Sequence, residues 1–159
     1  IRCVIGTFDP KLFSIPFISI SEVFGTRKEH LPKLLSLEKE AKTRIDYEAM
    51  FDYLDEQLVH TDMTKLKKVL PEVMREMNDT LGELTLDAEA GLLIHIACCI
   101  DRLQGKEPVA ANPKKKAVLM KYEKESRQLL KIVKPLERTF RIIINDDEIA
   151  NILTIIYQL

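Results

Sequence analysis

His95 is the residue of this chain best placed to do chemistry. It lies in LDAEAGLLIHIACCIDRLQ, a run whose apolar residues recur at helical spacing. With Ile96 at the centre of the buried face, Leu92, Leu93, Ile100 and Leu103 fall within about 60° of that centre at 100° per residue. His95 falls about 100° away, at the edge of the face. Arg102, seven residues on, lies almost on the same line, and the small residues Ala88 and Gly91 lie on this side too. A neutral imidazole nitrogen is a nucleophile near pH 7. A phosphoryl group on it would add roughly one and a half to two negative charges. A guanidinium beside it could donate a forked pair of hydrogen bonds to that phosphoryl group. The pattern thus fits a phospho-acceptor, with Arg102 as the phosphate's neighbour. It also fits a histidine packed at a seam between helices, and spacing alone favours that plainer reading.

Other candidates are thinner. Cys99 lies four residues after His95, the spacing of a Cys–His pair, but nothing upstream marks an oxyanion site. The chain has no P-loop, GxGxxG, HExxH or GxSxG pattern. No CxxC or HxxxH pair suggests zinc, and no cofactor is expected. His60 follows an apolar helix end and is expected at most to cap it; His30 sits in a charged segment. Lys114, Lys115 and Lys116 form a charge run at a helix start and read as a solvated turn. No catalytic machinery is expected.

The bulk numbers agree with a folded module. Of 159 residues, 46% are hydrophobic and 31% charged, which suits one globular domain with a core. The formal net charge of −1 does not ask for a nucleic-acid surface. The three cysteines, Cys3, Cys98 and Cys99, are odd in number and two are adjacent, so a disulfide framework is not indicated. A reduced, cytoplasmic protein is the expectation. No apolar run approaches the roughly 20 residues of a membrane helix, and no signal peptide is visible. The first residue is Ile1 and the last, Leu159, follows no polar tail, so both ends are expected to lie inside a longer polypeptide.

The elements that must position His95 can be read in order. IRCVIGT is a short β-rich run punctuated by Gly6 and Asp9-Pro10, and IPFISISEVF adds an extended piece with a loop or short turn. From about residue 28 the period turns helical, beginning with a loose helix or linker in HLPKLLSLEKEAKTR. Asp46 can cap a helix with Met50, Phe51, Leu54 and Leu58 on one face. Thr61 or Asp62 can cap the next, with a stripe from Leu66 to Leu81, a kink or restart at Pro71 and a stop at Gly82. The His95 helix runs from near Thr85 to Gly105. A long helix covers roughly 114 to 140, with Leu119, Tyr122, Leu129, Leu130, Val133 and Leu136 as core candidates and a bend at Pro135. FRIII is extended. Asn145 and Glu148 form an N-cap and capping box for a last helix. Five helices joined by short connections predict an all-α, antiparallel bundle with a β/loop extension at the N-terminus.

GLLIHIACCIDRLQGKEP resembles the first signature of the phosphotransferase-system regulation domain, the PRD: a histidine in an apolar helix, a turn of small residues, then Arg and Leu. LERTFRIIINDDEIANILTII resembles the second, in which a long helix ends in an aromatic, a short extended piece follows, and a Glu-Ile-Ala helix closes the domain. The resemblance covers roughly residues 40 to 159. IRCVIGTFDPKLFSIPFISISEVF is similar to the stretch before the last PRD of the levanase-operon type of sigma-54-dependent activator. Residues 1–27 are then the tail of a preceding module with its linker, and 28–159 the PRD bundle.

The resemblance implies a regulatory domain for sugar-utilisation genes. His95 aligns with the phospho-acceptor, the donor is HPr or an enzyme IIB, and DNA is contacted only through other domains of the parent. A homodimer is expected, because Ile94 and Cys98 make the His95 helix apolar on a second flank. The alternative is a degenerate PRD that serves only as a dimerisation module. Two departures stand out. The family often has Asp before the histidine, where this chain has Ile94. Members with a second acceptor carry it in the last helix, where this chain has Ile155.

Overall fold

The computed structural model describes residues 4–6, 17–19, 45–108 and 111–158. The boundary expected between 27 and 28, the loose helix or linker expected over 30–44, Cys3 and His30 lie outside those residues. The chain divides into two compact units, Ile1–Tyr53 and Leu54–Leu159.

In the first unit, β1 (Val4–Gly6) pairs in parallel with β2 (Phe17–Ser19), with Ile5 opposite Ile18. Helix α1 (Tyr47–Gln57) begins in this unit and crosses its boundary. Asp46 caps it as expected, its Oδ1 accepting from Ala49 N at 3.2 Å.

In the second unit, α2 (Met63–Leu81) is capped by Asp62, whose carboxylate accepts from Lys65 N. Thr61, the other candidate, is used elsewhere. The stripe Leu66, Val69, Leu70, Val73, Met74 and Met77 is buried. Pro71 does not restart the helix: α2 runs unbroken through it. Proline removes a single i→i−4 bond, and the buried residues on both sides hold the helix in register. Gly82 ends it at φ 103°, a conformation that favours glycine. Helix α3 (Leu86–Gln104) starts on Thr85, whose Oγ1 accepts from Ala88 N at 3.2 Å.

The helix expected over 114–140 is three helices: α4 (Lys115–Lys121), α5 (Glu123–Ile132) and α6 (Lys134–Phe140). The described helices therefore number seven rather than five. Pro135 explains one break. It has no N–H to give to Lys131, and it sits in the first turn of α6, where a helix needs no such donor. The other break falls at Tyr122, at φ −117° and ψ 46°, where the ring stacks on Tyr157 with centroids 4.2 Å apart. The break changes the phase of the buried face. Leu129, Val133 and Leu136 are buried as expected, but Val118 and Ile132 replace Leu119 and Leu130. The break leaves Tyr122 half-buried.

Arg141 closes α6 in the left-handed region at φ 55°, and residues 142–145 lead to α7 (Asp146–Tyr157). Helix α3 packs on α7, α2 packs on α5 and α6, and α4 packs on α7. The centre of this bundle holds Leu66, Leu70, Leu92, Leu93, Ile96, Ile100, Leu129 and Leu136, each nearly inaccessible.

Candidate functional site

Two helices make the site. Helix α3 carries His95 and Arg102 two turns apart. Helix α7 crosses that edge and brings Glu148 between them. The two helices pack at Gly91, where an added methyl group would sit in ordinary contact with Ile155 Cγ2 at 3.5 Å.

Glu148 is buried, with 1% of its side chain exposed. Its Oε2 accepts from His95 Nε2 at 3.0 Å, and its Oε1 accepts from Arg102 Nη2 at 3.0 Å. Asn151 Nδ2 adds a third donor to Oε2 at 3.3 Å. The histidine keeps 22% of its side chain exposed and the arginine 35%. Burial is the strongest single influence on Glu148 and pushes its pKa up. The hydrogen bonds from His95 and Asn151, with the charges of His95 and Arg102, outweigh it and hold the carboxyl below its ordinary range. The first turn of α7, where Glu148 lies, also favours a negative charge.

An ionised carboxylate can only accept hydrogen bonds, so the hydrogen between it and the ring is on His95 Nε2. In the neutral ring, Nδ1 then keeps its lone pair. Arg102 Nε is buried and has no hydrogen-bond partner among the described residues.

Cys99, the other half of the imagined Cys–His pair, is buried under the same carboxylate. Burial first, and then the charge of Glu148, pushes its thiol up to about 12. It is therefore un-ionised near neutral pH and is a poor nucleophile. Cys98 is half-buried, and burial raises its pKa as well.

The polar chain continues along α7. Asn112 Nδ2 donates to Asn151 Oδ1 at 2.7 Å, and Asn112 N donates to Asp147 Oδ1 at 2.8 Å. Lys115 Nζ pairs with Asp147 Oδ2 at 2.8 Å. Lys114 and Lys116 stay exposed.

At the far end of α3, Asp101 holds the α1–α2 connection. Its Oδ1 accepts from Val59 N, His60 N, Thr61 N and Thr61 Oγ1, at 2.7 to 3.1 Å. His60 therefore gives its backbone N–H to Asp101, and its ring lies over Gly105. A methyl group at Gly105 would meet His60 Cδ2 at 2.6 Å.

The sequence reading found His95 and Arg102 but gave Glu148 only a capping role. Half of that cap forms: Glu148 N donates to Asn145 Oδ1 at 3.1 Å. The carboxylate goes to α3 instead. A signal for this was present. Glu148 stands four residues before Ile152, on the buried stripe of α7, and an acid on a buried stripe needs a partner.

Among the described residues no group of histidines, cysteines and acids could hold a metal ion. None of their helices is long and apolar enough to cross a membrane. Residues 67–159, more than half of the chain, match the family model described as PRD domain. No curated protein and no solved structure gives a match.

Proposed function

The chain belongs to the PRD family, regulatory domains under the control of the phosphotransferase system, and from that premise we propose that His95 is its phospho-acceptor. One observation carries the reading. His95 is a partly exposed histidine whose Nε2 is held by a buried, ionised carboxylate, and that leaves the other ring nitrogen with its lone pair.

The domain has no catalytic machinery of its own. The donor, HPr or an enzyme IIB, supplies the chemistry. Arg102 is the neighbour that meets the added negative charge. Its Nη2 is committed to Glu148 in the unphosphorylated protein, and its buried Nε is a donor still unused.

The parent protein is a cytoplasmic, sigma-54-dependent activator of sugar-utilisation genes. The likeness of residues 1–24 to the levanase-operon type supports this, and DNA contact belongs to other domains. The domain works as a homodimer. Ile94 and Cys98 of α3 remain partly exposed and support that state.

Phosphoenolpyruvate, enzyme I, HPr and a cognate enzyme IIB test the reading when incubated with the protein. Acid-labile phosphate, read by mass, is expected on the wild type and absent from His95→Ala. Equal labelling of both would sink it.

A further inference from the structure

We propose that Glu148 is the positioning residue for phosphoryl transfer: it holds the His95 ring with hydrogen on Nε2, so that Nδ1 is the atom phosphorylated. The inference rests on the phospho-acceptor reading and adds to it the reacting atom and the group that selects it.

Three observations converge. Glu148 Oε2 faces Nε2 at 3.0 Å from a position that is almost wholly inaccessible. Arg102 and Asn151 pin the same carboxylate at 3.0 and 3.3 Å, so it cannot easily swing away. His95 keeps 22% of its side chain exposed while its Nε2 is engaged by this buried group. The carboxylate that holds the ring also meets Arg102, Asn151 and the un-ionised Cys99.

Transfer to Nδ1 leaves this arrangement intact. The Nδ1 lone pair forms the new N–P bond. The donor's N–P bond breaks, and its electron pair stays on the donor nitrogen. A donor phosphohistidine protonated at its other nitrogen leaves as neutral imidazole, while the His95 ring gains the positive charge. No proton moves. The carboxylate at Nε2 stabilises the charge as it develops, the role a buried acid plays behind a catalytic histidine. Transfer to Nε2 would instead expel Glu148 from its hydrogen bond and set a dianion beside a buried anion.

The test begins with the wild-type chain and no donor. Nitrogen-15 NMR of the histidine rings is expected to show His95 as the Nε2–H tautomer at a pH where the ring is neutral. After phosphorylation, nitrogen–phosphorus correlation is expected to place the phosphoryl group on Nδ1. Glu148→Gln, of similar shape, should mix the tautomers and slow transfer at least ten-fold, and Glu148→Asp should recover part of the rate. A wild-type Nδ1–H tautomer, or phosphate on Nε2, overturns the proposal whatever the variants do. An intact Nε2–H tautomer with no label from any donor supports the hold of Glu148 on the ring and counts against the phospho-acceptor reading itself.

Discussion

At Glu148, burial and charge pull in opposite directions. An isolated buried carboxylate would take up a proton, but here the donors from His95, Arg102 and Asn151 keep it ionised. Removing it strands a guanidinium and an imidazole at the edge of the core. Breaking a fully buried pair costs about 3–5 kcal/mol; because Arg102 is about a third exposed, solvent offsets part of this. We expect Glu148→Ala to destabilise the fold by about 2–3 kcal/mol in urea denaturation. A loss under about half a kcal/mol would mean that the carboxylate holds neither partner firmly. His95 and Arg102 were legible in the sequence because both lie on one edge of one helix. Glu148 was not, because its partner His95 lies 53 residues away and its N-terminal position offered a sufficient local explanation.

The helices place the site through a few long-range polar ties. Asp101 lies in the last turn of α3, where the helix dipole disfavours an acid. Burial tends to raise its pKa, but the donors from His60, Thr61 and Val59 outweigh that and leave it lowered. Asp101→Ala would free four donors at once and is expected to cost about 2–3 kcal/mol, read by the denaturation midpoint. Asn112 does similar work at the start of α4, which has no side-chain cap from its own N-cap residue, Lys114. Asn112 Oδ1 instead accepts from Lys114 N at 2.8 Å, and its amide reaches α7 through Asn151. Asn112→Ala should open this segment, so trypsin should cut after Lys114, Lys115 or Lys116 several-fold faster than in the wild type. Unchanged cleavage would show that Lys115–Asp147 suffices to hold it. The helical period predicted α2, α3 and α7 well, because their stripes and caps agree. It merged α4, α5 and α6, because the break at Tyr122 comes with a ring contact across 35 positions and not with a proline or glycine. Pro135 announced a bend, and its effect was a full break. Pro71 announced a kink or restart, and α2 does not restart there.

For the whole molecule, the ionised acids set a pH limit. Burial acts first on Asp101, Glu137 and Glu148 and raises each, yet hydrogen bonds and nearby cations leave all three below their ordinary values. Asp147 is lowered by Lys115 and by Asn112 N. A carboxyl whose folded pKa is depressed stabilises the fold above its unfolded pKa, and that contribution is lost as pH falls through the folded value. Stability should therefore hold from neutral pH to about 5 and fall steadily from about 4.5 downward. A flat stability curve through that window would contradict the ionised network. Family and bundle were legible from two separated motifs, and the family match over 67–159 agrees.

The central claim is that His95 receives a phosphoryl group. The most direct measurement is transfer of radiolabelled phosphate from phosphorylated HPr or enzyme IIB to the full chain, wild type beside His95→Ala. The prediction is label on the wild type that acid removes, mapped to His95, and none on the variant. Label elsewhere, undiminished by the substitution, would contradict the account.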